Sequence, residues 1–202
     1  MNNESLYVKN IQSRSRKHFW LGALARVNQY VKNWYAVYIA RKKGAVIGEC
    51  VTLPLALAKR ANSNLKIGNH TSIQTDFIDT RSPVTIGNYV IIGSGVNIIT
   101  ASHNIDSPEW EYKSYGIIIE DFVWIATNAL ILPSCRRIGY GAVVAGGAVL
   151  PYDTSNMDVM AGNPAIVLRK RKMVHYNLCV EGLLGNDLMT YLRVRKVSRD
   201  VN

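Results

Sequence analysis

Aliphatic residues recur every six positions through the centre of the chain. An α-helix repeats about every 3.6 residues and a strand every two, so neither element produces this spacing. A solenoid of short strands does, because each hexapeptide supplies one strand and one turn. The runs are Ile67 and Ile73; Ile86, Ile92 and Ile98; Ile119, Ile125 and Ile131; and Ile138, Val144 and Leu150. Three hexapeptides make one triangular coil, so residues 45–165 predict a parallel β-helix of about six coils.

Glycine follows the aliphatic residue in IGEC, IGNH, IGNY, IGSG and IGYG. We expect these glycines to let the chain turn tightly at the corners of each coil. Two stretches depart from the repeat, residues 55–64 and residues 102–116 (SHNIDSPEWEYKSYG). The second must leave the coil as a loop, and loops ejected from a rigid scaffold are where function concentrates.

The segment before the repeat predicts an amphipathic helix over residues 18–42. Its apolar residues recur at three- and four-residue steps, which places them on one stripe. The stripe consists of Trp20, Leu24, Val27, Val31, Trp34 or Tyr35, and Tyr38. Basic residues flank the helix at both ends, so the stripe would suit an anionic membrane. The alternative, which we favour, is that it packs on the body of the protein or on a neighbouring subunit.

The charge is unevenly distributed along the 202 residues. The formal net charge is +10, with +8 in residues 1–43, −3 in residues 44–165 and +5 in residues 166–202. We therefore expect a basic helical segment at 1–44, a β-helix at 45–168 and a basic extension with a short helix at 169–202. The basic ends suit phosphates or lipid head groups, and the mildly acidic centre argues against a nucleic-acid partner.

The repeat makes the expected fold class all-β, and the composition and cysteines suit a globular protein in the cytoplasm. Hydrophobic residues make up 48% of the chain and charged residues 19%, which excludes a disordered protein. No apolar run approaches the roughly 18 residues of a spanning helix, and no secretory signal is visible. The three scattered cysteines fit reduced thiols better than disulfides. We expect a cytoplasmic protein, held at the inner face of the membrane if the helix binds lipid.

Three segments resemble the hexapeptide-repeat acyltransferases. They are VTIGNYVIIGSGVNIITASHNIDSP, IIIEDFVWIATNALILPSCRRIGYGAVVAGGAV and MAGNPAIVLRKRK, and the resemblance covers about residues 64–172. The chain is most similar to the galactoside, maltose and polysaccharide O-acetyltransferases of that superfamily. The resemblance implies a left-handed β-helix, acetyl-coenzyme A as co-substrate, and a homotrimer with active sites between subunits.

His103 is the candidate general base, because it stands where the ladder stops and the ejected loop begins. An imidazole can take a proton from an alcohol near neutral pH and return it to the departing thiolate. In the family, the histidine at this place has that role. Asp106 or a backbone carbonyl would hold the ring in the required tautomer. His70 fits a structural turn residue, and His18 and His175 fit solvated positions in the basic ends.

The resemblance places the coenzyme A arm in a groove lined by small residues on consecutive coils. These are Ala126, Thr127, Ala145 and Gly146, and the amide of Ala126 is expected to remain available. Pro164 lies in the motif that closes the last coil and is expected to end the regular strand pairing. Arg169 and Lys170 are expected to bind the coenzyme phosphates. The alternative for each is a packing or solvated role.

The acceptor site is predicted from one coil earlier and from the loop. Asp76 and Asp79 are candidates for binding acceptor hydroxyls. Trp124 would line the thioester end of the groove or pack outward between coils. The loop residues Trp110, Tyr112 and Tyr115 would stack on a sugar ring or pack on one another.

The predicted function is transfer of acetyl from acetyl-coenzyme A to a hydroxyl of a sugar or glycan precursor. Two alternatives stay open: N-acetylation of an amino sugar, and a catalytically silent solenoid that binds partners. We expect no metal requirement. The zinc carbonic anhydrases that share the fold need three histidine ligands, and the repeat region holds only His70 and His103.

Overall fold

The computed structural model describes residues 5–197. The chain begins with two helices, α1 (Leu6–Gln12) and α2 (Arg16–Lys42). Each starts at a serine whose hydroxyl accepts a hydrogen bond from the backbone N–H three residues later, Ser5 from Val8 and Ser15 from His18. Such caps satisfy N–H groups that have no partner inside the helix.

The solenoid follows as six coils. The first coil holds β1 (Val46–Ile47) and α3 (Leu55–Arg60), and the second holds β2 (Leu65–Ile67) and β3 (Ser72–Ile73). The third holds β4 (Val84–Ile86), β5 (Ile91–Ile92) and β6 (Asn97–Ile98). A hairpin outside the coils follows, formed by β7 (Ala101–His103) and β8 (Tyr112–Ser114).

The remaining coils continue in the same order. The fourth holds β9 (Ile117–Ile119), β10 (Trp124–Ile125) and β11 (Leu130–Ile131), and the fifth holds β12 (Arg137–Ile138), β13 (Val143–Val144) and β14 (Val149–Leu150). The last is closed by β15 (Asp158–Gly162) and β16 (Ala165–Lys170). The chain then forms a 3-10 helix, Val180–Leu184, and α4 (Leu188–Val197).

The coils stack into three parallel sheets, which form the faces of the solenoid. The first face is β1-β2-β4-β9-β12, the second is β3-β5-β10-β13-β15 with β16 added antiparallel at its end, and the third is β6-β11-β14. We call the turn from the first to the second face the first corner, the turn from the second to the third face the second corner, and the turn into the next coil the third corner.

The hexapeptide ladder is the core of this stack. On the first face, Ile47, Ile67, Ile86, Ile119 and Ile138 lie in register on one another from coil to coil. The same holds on the third face for Ile98, Ile131 and Leu150, which are fully buried. The predicted parallel β-helix is therefore confirmed. Residues 55–64 lose phase because α3 replaces the third strand of the first coil.

Helix α2 presents its predicted apolar stripe to solvent. The exposed fractions are 64% for Trp20, 70% for Leu24, 54% for Val31, 58% for Trp34 and 47% for Tyr38. The interpretation that the stripe packs on the body of the same chain is therefore wrong. Other residues of the helix make that contact, namely Phe19, Ala23, Asn33, Ala36 and Ala40. Ala36 and Ala40 lack bulk, so this part of the helix lies close against the solenoid core, whereas Phe19 and Ala23 pack in a second cluster with α4.

Within residues 5–197, no helix combines the length and the apolar character that a membrane crossing requires. Helix α2 is long, but lysines and arginines interrupt it.

Pro164 does not end strand pairing as expected. The chain reverses around it, and β16 returns antiparallel along β15, with Gly162 opposite Ala165 and Asp158 opposite Lys170. The proline lies in the turn, where the ladder needs no N–H donor. The last coil is thus covered by a sixth strand on the second face.

Residues 171–187 return along the first corner from the last coil to the first. The Arg171 guanidinium donates to the carbonyls of Phe122 and Gly141, and the His175 ring bonds to the Tyr89 carbonyl at 2.8 Å. Farther along, Asn186 donates to the Thr52 hydroxyl at 3.1 Å. We call this segment the return strap.

His175 is therefore not the solvated residue that the sequence predicted. It is half-buried, and Arg171 donates to its Nδ1 at 3.0 Å while Nε2 faces the Tyr89 carbonyl. Burial lowers the pKa of His175, with a smaller lowering effect from the Arg171 charge. Burial also lowers the pKa of Arg171.

Asn33 clamps α2 to the first coil. Its side-chain amide donates to the Val51 carbonyl at 2.7 Å, and its oxygen accepts from the Leu53 N–H at 3.1 Å. We expect Asn33→Ala to lower the free energy of unfolding by about 2 kcal/mol, because it leaves a buried donor unpaired. Urea denaturation measures this. The exposed Asn28 on the same helix gives the control, Asn28→Ala, and equal losses for the two variants would contradict the clamp.

Candidate active site

His103 ends the first strand of the hairpin that leaves the third corner. It pairs with Tyr112 across the antiparallel strands and is exposed. Its ring stacks on Trp110, with centroids 5.5 Å apart, and meets the edge of Tyr112 at 6.0 Å. The ring therefore lies on the outer surface of the solenoid with aromatic neighbours on two sides.

The backbone carbonyl of Trp110 fixes the tautomer of His103. The Nδ1 atom lies 2.8 Å from this oxygen, which can only accept a hydrogen bond. Nδ1 must therefore carry the proton, and Nε2 presents its lone pair. Of the two groups expected to hold the ring, the backbone carbonyl takes the role and Asp106 does not. Trp110 has a φ of 50°, in the left-handed region, and this turn aims its carbonyl at the ring.

Polar contacts brace the hairpin on both sides of His103. The Asn104 N–H donates to the Glu111 carbonyl at 2.8 Å, and the Asn104 side chain donates to the Glu111 carboxylate at 2.9 Å. At the root, the Ser114 hydroxyl bonds to Ser82 of the preceding coil at 2.7 Å. These contacts hold His103 in one position before any ligand arrives, which a general base requires.

Asp79 lies under the root of the hairpin. It accepts from the Arg81 guanidinium at 2.8 and 2.9 Å, and from the backbone N–H of Thr100, the residue before β7, at 3.3 Å. Partial burial opposes ionisation of Asp79. The hydrogen bonds from Arg81 and Thr100 outweigh it and lower the pKa to about 2.

The other predicted acceptor residues lie in different surroundings. Asp76 is half-buried and faces Arg60, with an ion-pair distance of 3.8 Å. Trp124 is 44% exposed on the second face, between Ile91 and Val143 of the neighbouring coils. Tyr115 lies under the Arg136 guanidinium at 4.9 Å. Of the two candidate aspartates, Asp79 is therefore the one that lies at the third corner with His103.

The small-residue turns lie one above the other at the second corner. The Ala126 N–H donates to the Val144 carbonyl at 2.8 Å, and the Ala145 N–H donates to the Met160 carbonyl at 2.8 Å. The expectation that the Ala126 amide remains available is therefore wrong, because the next coil occupies it. The residues that follow, Thr127 and Gly146, are exposed, and their N–H groups have no hydrogen-bond partner within residues 5–197.

The charged groups of Arg169 and Lys170 differ in whether a carboxylate pairs with them. The Lys170 ammonium lies 2.7 Å from the Asp158 carboxylate and 3.0 Å from the Asn156 carbonyl. Arg169 is exposed and lines an open groove with Arg171 and Lys172. Among the contacts of the described chain, its guanidinium bonds only to the Lys170 carbonyl. Pro164 is also exposed at the end of the solenoid.

One chain does not bring His103 and the small-residue turns together. The hairpin that carries His103 leaves the solenoid at the third corner, whereas Thr127 and Gly146 lie at the second corner. The two corners are separated by one face, roughly 16 Å for five residues of extended chain. In the described residues, His103 makes no hydrogen bond or ring contact with either turn.

The sequence did not reveal two features of this site. The Trp110 carbonyl is a backbone group, and nothing in a tryptophan predicts a left-handed turn. The unpaired amides of Thr127 and Gly146 follow from which carbonyls the next coil supplies. Because small residues were expected at these turns, the two amides could have been identified once the strand register was known.

Known proteins with similar sequences and structures agree with this fold. The chain is 30% identical over 145 residues, 71% of its length and 78% of the relative's, to WcaF of Escherichia coli, a protein provisionally named a colanic acid biosynthesis acetyltransferase. A hexapeptide-repeat acetyltransferase of Vibrio cholerae superposes with a TM-score of 0.60 and 28% identity, covering 84% of this chain and 95% of that one. The chain belongs to the hexapeptide-repeat acetyltransferases.

A galactoside O-acetyltransferase of Lactococcus lactis is a further relative of this hexapeptide-repeat acetyltransferase. It is 28% identical over 169 residues, which cover 80% of this chain and 74% of that protein. The Vibrio cholerae enzyme has also been solved in complex with acetyl-coenzyme A, and that structure has a TM-score of 0.58 and 26% identity, covering 86% of this chain and 93% of that one. No protein-family model matches the chain.

The Asp79 contacts predict how stability changes in acid. A carboxylate with a lowered pKa contributes stability that is complete above its ordinary pKa and is lost as the pH falls toward the folded value. For Asp79 this window runs from 3.8 down to about 2. We expect Asp79→Asn to remove about 1 kcal/mol at neutral pH, since Arg81 is largely solvated.

Denaturation at pH 7 and at pH 2 to 3 measures this dependence. The difference between wild type and Asp79→Asn should shrink in acid. Asp76→Asn in the same coil is the matched control. An Asp79→Asn penalty that stays constant across this range would contradict the assignment.

Proposed function

We propose that the protein transfers acetyl from acetyl-coenzyme A to a hydroxyl of a sugar or glycan precursor, with His103 as the general base. The observation that carries the role of His103 is its Nδ1 contact with the Trp110 carbonyl at 2.8 Å, which leaves Nε2 free to accept a proton. The relatives support the substrate classes, since one is named a galactoside O-acetyltransferase and a solved neighbour binds acetyl-coenzyme A.

In the proposed reaction, Nε2 of His103 takes the proton of the acceptor hydroxyl as its oxygen attacks the acetyl carbonyl. The carbonyl oxygen becomes negative while the new C–O bond forms. When the C–S bond breaks, the imidazolium returns the proton to the coenzyme A thiolate. The neutral ring is then restored, and no protein side chain becomes acetylated.

The N–H groups of Thr127 and Gly146 are the donors that we assign to the coenzyme groove. They point from exposed turns of successive coils and have no partner within the described residues. Such amides suit the carbonyls of a pantetheine arm or the oxyanion of the reaction. The methyl groups of Ala126 and Ala145 and the ring of Pro164 would border the arm without blocking it.

The phosphates of coenzyme A are assigned to Arg169 and Lys170. Arg169 is the stronger candidate, because no carboxylate pairs with it among the described residues. The ammonium of Lys170 already neutralises the buried Asp158, so it would add its charge to the groove while staying in place.

A homotrimer would complete the site. The base and the small-residue turns lie at different corners of one chain. A neighbouring solenoid set against the third corner could present its second corner to His103. In this arrangement Trp124 would border the thioester end of the groove, and a left-handed coil would match the family.

The acceptor is assigned to the third corner. Asp79 is ionised and lies beneath the hairpin, and Asp76 is on the same coil. Trp110 and Tyr112 contact His103 and remain 55% and 49% exposed. Their free faces suit a sugar ring. An amine acceptor would use the same base, so amino sugars belong among the acceptors to be tested.

We further propose that the apolar stripe of α2 contacts an anionic membrane at the cytoplasmic face. The stripe from Trp20 to Tyr38 is about 27 Å long on a helix, and Lys17 and Lys42 continue the same side at its two ends. Positive charge at both ends would repel a second copy of the helix in either orientation. Anionic lipid complements both the charge and the apolar surface.

The first test is a thiol-release assay with acetyl-coenzyme A against sugars and amino sugars. We expect turnover with a hydroxyl acceptor, and His103→Ala should reduce it roughly 10²- to 10⁴-fold because the proton has no acceptor. Coenzyme A binding, measured by calorimetry, should be retained. His18→Ala, on the exposed surface of α2, is the matched control.

Full activity of His103→Ala would remove the base assignment. Turnover with amino sugars alone would replace the hydroxyl acceptor by an amine, and absence of any acetyl-coenzyme A binding would favour a silent solenoid.

The second test measures binding of the full chain to vesicles that contain phosphatidylglycerol. We expect co-sedimentation that Leu24→Glu with Val31→Glu abolishes, because the two charges enter the apolar stripe. Ala25→Glu places the same charge on an exposed position of α2 outside the stripe, and should bind nearly as wild type. A wild-type chain that stays in the supernatant would refute the membrane contact.

A further inference from the structure

The first corner brings a cysteine and a histidine together on the first two coils. Cys50 and His70 occupy equivalent positions, each three residues after an inward isoleucine, with φ values of 53° and 51°. Neighbouring strands of a sheet lie about 4.8 Å apart. The side chains of these two residues therefore project from the same corner at adjacent levels.

Glu181 approaches this pair from the return strap. It lies in the 3-10 helix, and its side chain is only 3% exposed. One ligand atom from each of Cys50, His70 and Glu181 lies within 4.8 Å of the other two. A thiol, an imidazole and a carboxylate thus converge from three distant parts of the sequence.

The Glu181 carboxylate has no permanent positive partner among the described side chains. It accepts from the Thr190 hydroxyl at 2.7 Å and faces His70 Nδ1 at 3.3 Å. Among the side chains of residues 5–194, no lysine or arginine forms an ion pair with it. A buried carboxylate without a compensating charge is costly. The site therefore has a place for a cation.

Two of the three groups, those of His70 and Glu181, are held in position by their neighbours. The His70 ring stacks face to face on Tyr89, with centroids 5.0 Å apart and an angle of 6°. The Thr190 hydroxyl orients the Glu181 carboxylate. Outer contacts of this kind orient the ligands of protein-bound metals.

We propose that Cys50, His70 and Glu181 bind one Zn²⁺ ion. Sulfur, nitrogen and oxygen donors of these types are the ligands of zinc, and a tetrahedral ion holds its ligand atoms roughly 3.5 Å apart. The ligand atoms lie within 4.8 Å of one another. The most widely separated pair would therefore move about 1 Å closer together to bind one ion. A thiolate ligand disfavours Mg²⁺ and Ca²⁺.

Water would supply the fourth ligand. The cluster borders a cavity of about 280 Å³ lined in part by Tyr7, His70, Tyr176 and Glu181. Cys50 and His70 are half-buried, so an ion can enter from solvent. The ion would fasten the return strap to the first two coils.

The site is independent of the proposed transfer reaction. It lies at the first corner of the first two coils, whereas His103 leaves the third corner after the third coil. The role of the ion is therefore structural, and acetyl transfer does not test it.

The test uses the full-length protein, stripped with a chelator and then dialysed against Zn²⁺ or Co²⁺. We expect one Zn²⁺ per chain, a higher melting temperature with Zn²⁺, and a thiolate-to-Co²⁺ absorption band in the near ultraviolet. Cys50→Ser should abolish the band. His70→Gln and Glu181→Gln should weaken the affinity for Zn²⁺ by more than the roughly 10- to 100-fold that is typical of losing an outer contact.

Cys179→Ser is the matched control, because Cys179 directly precedes the same 3-10 helix but is outside the ligand cluster. This variant should keep the band. Loss of the band in Cys179→Ser with its retention in Cys50→Ser would overturn the assigned ligands. Zinc content near zero after dialysis, or a cobalt spectrum without a thiolate band, would overturn the site.

A measurement on the wild-type chain avoids any variant that fails to fold. Zn²⁺ should slow alkylation of Cys50 by iodoacetamide, quantified on the peptide that contains it. Equal alkylation rates with and without Zn²⁺ would contradict the proposal, and the buried Cys135 provides an internal reference.

Discussion

The structure depends on a side-chain ladder at the first corner, which fixes the register of the first four coils on one another. The Glu49 N–H donates to Asn69 Oδ1 at 2.8 Å, the Asn69 N–H to Asn88 Oδ1 at 2.8 Å, and the Asn88 N–H to Asp121 Oδ1 at 2.7 Å. The N–H groups of Glu49, Asn69 and Asn88, which the sheets leave unpaired, are thus satisfied by the side chain of the next coil. A shift of one residue would break these bonds and expel the inward isoleucines from the core.

This ladder also explains the repeated glycine after isoleucine. A Cβ on Gly68 would lie 2.7 Å from Asn88 Oδ1, and one on Gly87 would lie 2.3 Å from Asp121 Oδ1. Neither glycine has a positive φ. These two glycines mainly leave room for the asparagine or aspartate side chain of the next coil. The sequence had led us to expect that they allow a tight turn. Gly95 and Gly141, with φ values of 68° and 64°, do adopt the left-handed conformation of a tight turn.

The ladder tolerates a long insertion between two coils. Asn88 and Asp121 are 33 positions apart, yet Ile86 still stacks on Ile119. The hairpin that carries His103 is therefore added to the outside of a frame that closes without it. The contacts of Asp79 with Thr100 and of Ser82 with Ser114 tie its root to that frame.

The sequence predicted the parts of the molecule that periodicity controls. The six-residue repeat set the coils, and its interruption located the segment that carries His103. What it could not predict depends on partners distant in sequence. The Ala126 amide is occupied because Val144 follows 18 residues later. The outward face of α2 follows from small residues such as Ala36 that allow close contact, whereas a hydrophobic pattern alone favours burying the largest side chains.

The proposed zinc ligands were beyond prediction for the same reason. Glu181 is 111 residues from His70 and reaches it only because the return strap runs back along the first corner. A search for histidines within the repeat considers neither a cysteine at an equivalent corner nor a carboxylate from outside the solenoid.

The return strap changes how such a solenoid comes apart. In a simple stack of repeats each unit touches only its neighbours, so the end units can fray one by one. Here a single segment is bonded to the fifth coil through Gly141, to the third through Tyr89 and to the first through Thr52. Opening one end therefore loosens the segment that secures the other, and the linear array behaves mechanically as a closed loop.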